Sequence, residues 1–362
     1  MVVTLWSTVD KGQRRLAAAS LGTAVAIALL LAALVAAGCG LGPGGRVGEA
    51  GLTVTRDYGA RRLAAPLTDG VSESDTAMRL LERNARISTR YGGGFVQSID
   101  GLEGAERSGR RYDWFFYVNG VEATVGAADY ALRGGEAVWW DYRDWSAAIG
   151  APAVVGSWPQ PFAGGYDGRR RPVAVECMGG GGACDEVRQR LERAGVHGAR
   201  GRTYPPHVGI GATAPGASGP RSSPAGAIRV LVGPWARLRE DPAAAQIEAG
   251  PRQSGVFAEF RPAGGRLAGG SPAAGFALWG LDEGGKPARR FGSDAGLVAA
   301  TRRYEAPPVW VVTGAGERGV RAAAGLLDSR DLRDHYAIVV DRRGKTEPLP
   351  LRPSRPGPGP VG

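Results

Sequence analysis

Three cysteines, three histidines and one glycine-spaced turn hold most of the chemistry this sequence could perform. Cys177 and Cys184 bracket a glycine-rich segment, and two cysteines this close in an oxidising compartment predict a disulfide closing the Met178–Ala183 loop. Zinc is the alternative, but it needs two more ligands, and His197, His207 and His335 show no ligand spacing. The glycine-spaced turn follows the apolar run Val309–Thr313 and reads Gly314-Ala-Gly316-Glu-Arg-Gly319. A helical stretch and then Ile338–Asp341 come after it. That is the order of a dinucleotide fingerprint, in which glycines let backbone N–H groups approach a pyrophosphate at a helix start. The unit is the last βαβ of the chain, and with 59 glycines present an ordinary strand-to-helix turn is the competing reading. No G-x-S-x-G elbow, H-E-x-x-H helix or glycosidase-type carboxylate pair is found. The expectation is a non-catalytic protein with no metal site.

The remaining candidates are aromatic. Tyr112–Trp145 carries four of the 9 tryptophans, and Trp114–Val118 and Val138–Tyr142 are apolar at nearly every position. A strand with one wet face would alternate, so both faces of these strands are expected to be covered. On the first strand Trp114, Phe116 and Val118 oppose Phe115, Tyr117 and Asn119. On the second, Val138, Trp140 and Tyr142 oppose Trp139, Asp141 and Arg143. One set forms a core, and the other stacks on a ligand, packs on a second domain or binds a partner. Candidates for that ligand or partner face are Trp114, Phe115, Tyr117, Asn119, Trp139, Trp140 and Tyr142. Trp145 and Trp158-Pro159, around Gly150–Gly156, are expected at its rim or at an interdomain hinge.

The elements that must position these residues follow from pattern. Leu52–Thr55 alternates as a strand, and Ser72–Asp75 reads as the start of a helix running to about Ala85. Ile87–Tyr91 and Phe95–Ile99 flank a glycine turn, and Val118-Asn119-Gly120-Val121 signals a type I′ hairpin. One helix across a mixed sheet, an α+β unit, is expected over 51–150. A second, α/β region with a partly parallel sheet is expected over 171–345. Its strands are Pro172–Cys177, Ile228–Val232, Val256–Phe260, Phe276–Leu281, Val309–Val312 and Ala337–Val340. Helices are expected at Asp185–Ala194, Pro242–Ala249 and Gly319–Leu327, the last extending toward Tyr336. Residues 200–226 read as a flexible excursion and 351–362 as a disordered tail.

The net charge of +10 would suit nucleic acid, but the basic residues are scattered, nearly all arginine, and form no recognition motif. No nucleic-acid partner is expected. Lys11, Arg14 and Arg15 precede an uncharged run from Leu16 to Gly38, the pattern of an export signal over 1–39. Its end, Ala36-Ala37-Gly38-Cys39, resembles a bacterial lipobox, with Ala36 where leucine is preferred. The resemblance implies that Cys39 receives diacylglycerol and becomes the mature N-terminus; an uncleaved membrane anchor is the alternative. Residues 40–50 then read as a glycine-rich tether, placing the rest on the extracytoplasmic face of the cell membrane.

Ser74–Asn84 (SDTAMRLLERN), Phe95–Leu102 (FVQSIDGL), Trp114–Gly120 (WFFYVNG) and Ala128–Tyr142 (ADYALRGGEAVWWDY) together resemble the transcobalamin-like C-terminal domain family, small β-grasp-like domains. The whole chain resembles lipoproteins of high-GC actinobacteria that carry this domain before an uncharacterised α/β region. In the cobalamin carriers the domain forms one side of a corrinoid site and a helical barrel the other, and this chain has no room for such a barrel. The resemblance implies a binding or accessory module, with a corrinoid-like ligand passed to a vitamin transporter of the energy-coupling-factor type. The alternative is a structural or protein-interaction lipoprotein whose aromatic face is a buried interdomain interface.

Overall fold

A computed structural model describes residues 44–179, 182–204, 223–263 and 275–352. The expected export signal with Cys39, most of the 205–226 stretch and the tail from 353 lie outside the described residues. The fold is mixed α and β, mostly strands in several sheets with few helices.

The first half runs β1 (Arg46–Arg56), β2 (Arg61–Arg62), β3 (Leu67–Ser72), α1 (Ala77–Asn84), β4 (Ile87–Arg90), β5 (Phe95–Ile99), β6 (Leu102–Glu103), β7 (Ala105–Arg107), β8 (Arg110–Val118), β9 (Val121–Glu122) and β10 (Ala137–Asp144). Its main sheet has the order β2-β1-β10-β8-β7, with β1 parallel to β10 and β10 antiparallel to β8. Strand β1 begins at Arg46, inside the stretch expected as a tether, because Arg46–Leu52 pairs with β3. Helix α1 starts one residue after Thr76, whose hydroxyl accepts from the Arg79 N–H; Asp75 stays outside the helix and accepts from Ser72. Asn119 and Gly120 both have positive φ, 54° and 74°, as the hairpin reading requires.

The register sets the two faces. Trp140 lies opposite Phe116 and Trp139 opposite Tyr117. Trp114, Val118, Trp140 and Tyr142 pack with Leu52 and Val54 against Met78, Leu80 and Leu81 of α1. Tyr117 and Trp139 point the other way.

The second half runs β11 (Val173–Met178), α2 (Ala183–Arg193), β12 (Arg200–Tyr204), β13 (Ile228–Pro234), α3 (Trp235–Leu238), α4 (Pro251–Ser254), β14 (Ala258–Pro262), β15 (Phe276–Leu281), β16 (Pro287–Gly292), β17 (Gly296–Thr301), β18 (Val309–Gly314), α5 (Glu317–Ala324), α6 (Ser329–Leu332), β19 (Ala337–Val340) and β20 (Thr346–Leu349). Its large sheet, β12-β11-β13-β18-β17-β19-β20, is parallel from β12 to β18 and antiparallel from β18 to β20. Strands β14-β15-β16 make a separate antiparallel sheet. Residues 200–204, expected within the flexible excursion, are the edge strand β12, paired in register with β11. The helix expected over Pro242–Ala249 is a 3-10 segment, Ala244–Ala249. The helix expected to extend toward Tyr336 ends at Ala324 and is followed by the separate turn of α6, which Asp328 caps. Cys177 and Cys184 are disulfide-bonded.

Both faces of the large sheet are dry. Val230, Val232, Trp310 and Val312 pack under α2 and α5, together with Trp158 and Phe162 of the connection between the two halves. Leu231, Val311, Leu297 and Val339 form a second layer with Phe257, Tyr58, Tyr117 and Trp139. The aromatic face of the first sheet is therefore covered by the second half of the chain. Tyr117 is 0% and Trp139 3% exposed. Trp139→Ala is expected to cost about 3–5 kcal/mol, as for other fully buried tryptophans. Equilibrium urea unfolding checks this, and an unchanged midpoint would show that the face is not part of the core.

Candidate functional site

The seam between the two sheets is organised by one carboxylate. Asp141 sits in β10 between Trp140 and Tyr142 and is fully buried. Its Oδ1 accepts from the Thr55 hydroxyl at 2.5 Å and from the Gly59 N–H at 3.0 Å, while Oδ2 accepts from the Tyr336 hydroxyl at 3.0 Å. Thr55 in turn accepts from the Trp139 indole N–H at 2.7 Å. One group thus ties β1, the turn after β1 and the residue just before β19. Burial pushes the Asp141 carboxyl up to about 6, against the opposing pull of these hydrogen bonds and of the nearby Arg143 guanidinium.

Arg143, two residues on, is also fully buried. Arginine keeps its charge in proteins, so the charge must be satisfied locally. Its guanidinium donates to the carbonyls of Ala148 at 2.8 Å and Ile149 at 3.0 Å, and lies 3.7 Å from the centre of the Phe115 ring. Burial raises the pKa of Glu122, and Arg143 opposes that rise. Tyr58, Tyr117, Trp139 and Tyr336 pack edge-on or tilted around the two charged groups, with ring centres 5.1–5.6 Å apart.

The turn that Asp141 holds is strained. Asp57, Tyr58 and Gly59 have φ of 58°, 58° and 80°, three left-handed residues in succession. A non-glycine residue held there costs on the order of 1–3 kcal/mol and persists only when its surroundings over-determine it. Here they do. The Asp57 N–H donates to the Tyr142 carbonyl at 2.8 Å, the Tyr58 hydroxyl to the Asp144 carbonyl at 2.5 Å, and Arg352 to the Asp57 carbonyl at 3.1 Å. Gly59 can only be glycine, because a Cβ there would lie 1.7 Å from the Asp334 carbonyl oxygen.

Beneath the turn opens a cleft of about 610 Å³ between the two halves, reaching from Asp57 and Tyr58 to Asp282, Arg289, Glu347 and Arg352. Arg289 pairs with Glu347 at 2.8 Å on its wall. His335 lines the cleft with a buried Nδ1 that finds no hydrogen-bond partner, and burial lowers its pKa. A cleft at such a seam, with acidic and basic side chains converging on it, has the form of a small-ligand site. Among the described residues, no group of three or more His, Cys, Asp or Glu side chains could hold a metal ion.

The aromatic candidates separate into two groups. Trp114, Trp140 and Tyr142 lie under α1, with the Trp114 indole donating to the Leu102 carbonyl and the Tyr142 hydroxyl to the Glu103 carbonyl. Phe115, Tyr117 and Trp139 face the second half. Asn119 accepts from the Ala137 N–H and donates to the Gly165 carbonyl, each at 2.9 Å, pinning the connecting segment to the hairpin turn. None of them lines the cleft. The glycines of Gly314–Gly319 have a packing role: a Cβ on Gly319 would come within 2.1 Å of the Ala295 carbonyl oxygen and one on Gly314 within 2.7 Å of Gly319. Asp341 accepts the N–H groups of Arg343 and Lys345 in the β19–β20 turn.

Of the residues that build the seam, Phe115, Tyr117 and Trp139 stand among the sequence candidates, whereas Asp141, Arg143, Tyr58, Tyr336 and the cleft residues were not singled out as site residues. Two signals for them were present. One is a carboxylate and an arginine, Asp141 and Arg143, inside an aromatic run. The other is Asp-Tyr-Gly directly after a strand.

Fold and site together define a small β-rich domain joined to an α/β layer. Residues 74–144 match a family model described as a domain of unknown function (DUF4430). A crystal structure from Ruminococcus gnavus, of a protein provisionally named as metal binding, is 12% identical over 27% of this chain and 97% of that one, with a TM-score of 0.21. No curated protein sequence matches the chain.

The pKa of Asp141 sets a pH dependence. A carboxyl that titrates at about 6 when folded, against 3.8 as the ordinary value, holds more protons in the folded state between those limits. Its contribution to stability is therefore present below about pH 4 and is lost as pH rises through 6. The loss is on the order of 2–3 kcal/mol, at about 1.4 kcal/mol per unit. Asp141→Asn removes the titration and keeps Oδ1 as acceptor for Thr55 and Gly59, while its Nδ2 donates to the Tyr336 hydroxyl instead of accepting from it. The stability difference between the two proteins is expected to move in favour of the variant from pH 4 to 7, measured by urea unfolding. A pH-independent difference would contradict the assignment.

Proposed function

We propose that the chain is a membrane-tethered extracytoplasmic lipoprotein that acts as a non-catalytic binding module, taking a small ligand in the cleft between its two layers and presenting it to a transporter in the same membrane. The observation that carries this reading is the left-handed Asp57–Tyr58 turn standing over the 610 Å³ cleft. Strain of this kind concentrates at ligand clamps and similar sites. We read it as non-catalytic: Asp141, Tyr117 and Tyr336, whose pKa values burial raises, are sealed in the seam and do not line the cleft.

The ligand we favour is small, polar and carries both charges. Arg289 and Arg352 offer donors, and Asp57, Asp282 and Glu347 offer acceptors around one opening. At roughly 30 Å³ for each water-sized group, the cleft holds a molecule on the order of twenty non-hydrogen atoms. A corrinoid is larger, and the aromatic face on which it was expected to stack is enclosed. A second reading, a protein-interaction lipoprotein, is favoured by that same enclosure, which leaves the aromatics as internal packing.

Two tests apply. With full-length protein in nanodiscs, thermal unfolding in the presence of the dipeptides Lys-Glu, Arg-Glu or Glu-Glu is expected to show saturable stabilisation by at least one of them. Arg289→Ala should weaken that effect tenfold or more. No saturable effect, or no change in the variant, would remove the cleft as a ligand site. Cys39→Ser is expected to move the protein from the membrane fraction to the soluble fraction, and unchanged fractionation would contradict lipid anchoring.

A further inference from the structure

A second cavity, of opposite character, lies on the α1 side of the first sheet. Helix α1 has eight residues, or about 12 Å, whereas β1 has eleven, or about 36 Å. The helix therefore stops short of covering the strand. Leu52 and Val54, which pack against α1, also line the space beyond its C-terminal end at Asn84 and Ala85, with Ile99 and Leu102 in the same lining. The connection between β2 and β3, Leu63-Ala-Ala-Pro-Leu67, closes one side. The result is a cavity of about 310 Å³ whose polar lining is confined to Arg56, Asn84 and Asp100.

The composition of that connection is the second observation. Every residue from Leu63 to Leu67 is apolar, yet residues 63–66 are exposed, and Leu63 is 45% exposed. A surface connection is ordinarily polar, and clustered exposed apolar residues mark a binding surface. Here they stand over an apolar hollow without filling it.

We infer that this cavity is a binding site for a small neutral amphiphile: an apolar body of about ten carbon atoms bearing one hydroxyl-type head. The size follows from volume. The cavity is about twice the roughly 150 Å³ apolar void that accepts benzene, or on the order of ten water-sized groups at about 30 Å³ each.

The head follows from the rim. Asn84 donates from Nδ2 to Asp69 and to the Leu80 carbonyl, which leaves Oδ1 as an acceptor. Asp100 Oδ1 accepts from the Arg86 N–H, which leaves Oδ2. Arg56 pairs with Asp57 through Nε at 3.1 Å, which leaves its terminal N–H groups as donors. A hydroxyl satisfies both kinds of partner. Both rim charges are already paired, Arg56 with Asp57 at 3.1 Å and Asp100 with Arg86 at 3.8 Å, so a charged head would enter without a free counter-ion, whereas a hydroxyl needs none. Burying the body at about 25 cal/mol per Å² supplies the affinity, and the rim selects the head.

The test is photolabelling of the full-length protein with a ten-carbon alcohol carrying a diazirine, followed by peptide mapping. Saturable labelling is expected on the peptides that contain Leu63–Leu67 and Ile99–Leu102. The matched carboxylate and amine probes should label these peptides at least fivefold less. Ala65→Trp, at an exposed position where folding is not at stake, fills the cavity and is expected to suppress labelling tenfold. Arg289→Ala, in the separate cleft, should leave it unchanged. Labelling spread evenly over the surface, or equal labelling of Ala65→Trp, would overturn the site. Equal labelling by all three head groups would overturn the assigned ligand class.

Discussion

A carboxylate removed from water must either be fully hydrogen-bonded or give up its charge, and Asp141 is held between those outcomes. Its two oxygens collect three donors from three separate parts of the chain: Thr55 on β1, Gly59 in the turn after it, and Tyr336 ahead of β19. Without it those donors would be buried unsatisfied, at about 1–3 kcal/mol each. The strained Asp57–Gly59 turn would lose the partner of its glycine N–H. The aromatic ring around it, Tyr58, Tyr117, Trp139 and Tyr336, supplies the apolar packing that makes the site dry, and dryness is what makes those hydrogen bonds strong. Seam, turn and cleft are thus consequences of one placement, an acid in the middle of an apolar strand.

Much of the architecture was legible because side-chain period is a direct record of burial. The runs at Trp114–Val118 and Val138–Tyr142 lack a wet face, and each face is indeed covered, one by α1 and one by the second half of the chain. Strand β17 was not legible. Gly296–Thr301 reads GLVAAT, with little β-branched or aromatic material, because α5 presses on it. A Cβ at Gly296 would meet the Gly319 carbonyl oxygen at 2.2 Å. The small residues that hide the strand from pattern reading are the ones the packing requires. Edge strand β12 was obscured differently: RGRTY is polar because it lies at the edge of the large sheet.

The candidate site was less legible than the fold. The aromatics drew attention by their cost, and they are internal packing, split between two cores. The cleft is built from residues far apart in sequence, such as Asp57, Arg289 and Arg352, which become neighbours only when the C-terminal strand β20 returns beside the first sheet. The glycine spacing shows the converse case, where the competing reading of an ordinary strand-to-helix turn matches the packing. The spacing suits a phosphate, yet here it lets α5 sit close on β17 and β18. What emerges is a module with two openings of contrasting chemistry: a charged cleft at the seam and an apolar cavity beyond the end of a short helix.

The central claim is that Asp141 holds the turn over the cleft. Amide hydrogen exchange of residues 56–60 in the wild type and in Asp141→Ala tests it most directly. The account predicts that this segment, slow to exchange in the wild type, exchanges roughly ten- to a hundredfold faster in the variant, at about 1.4 kcal/mol per factor of ten. Segments remote from the seam, such as α2, should keep their protection. Unchanged protection at Gly59 in the variant would contradict the account.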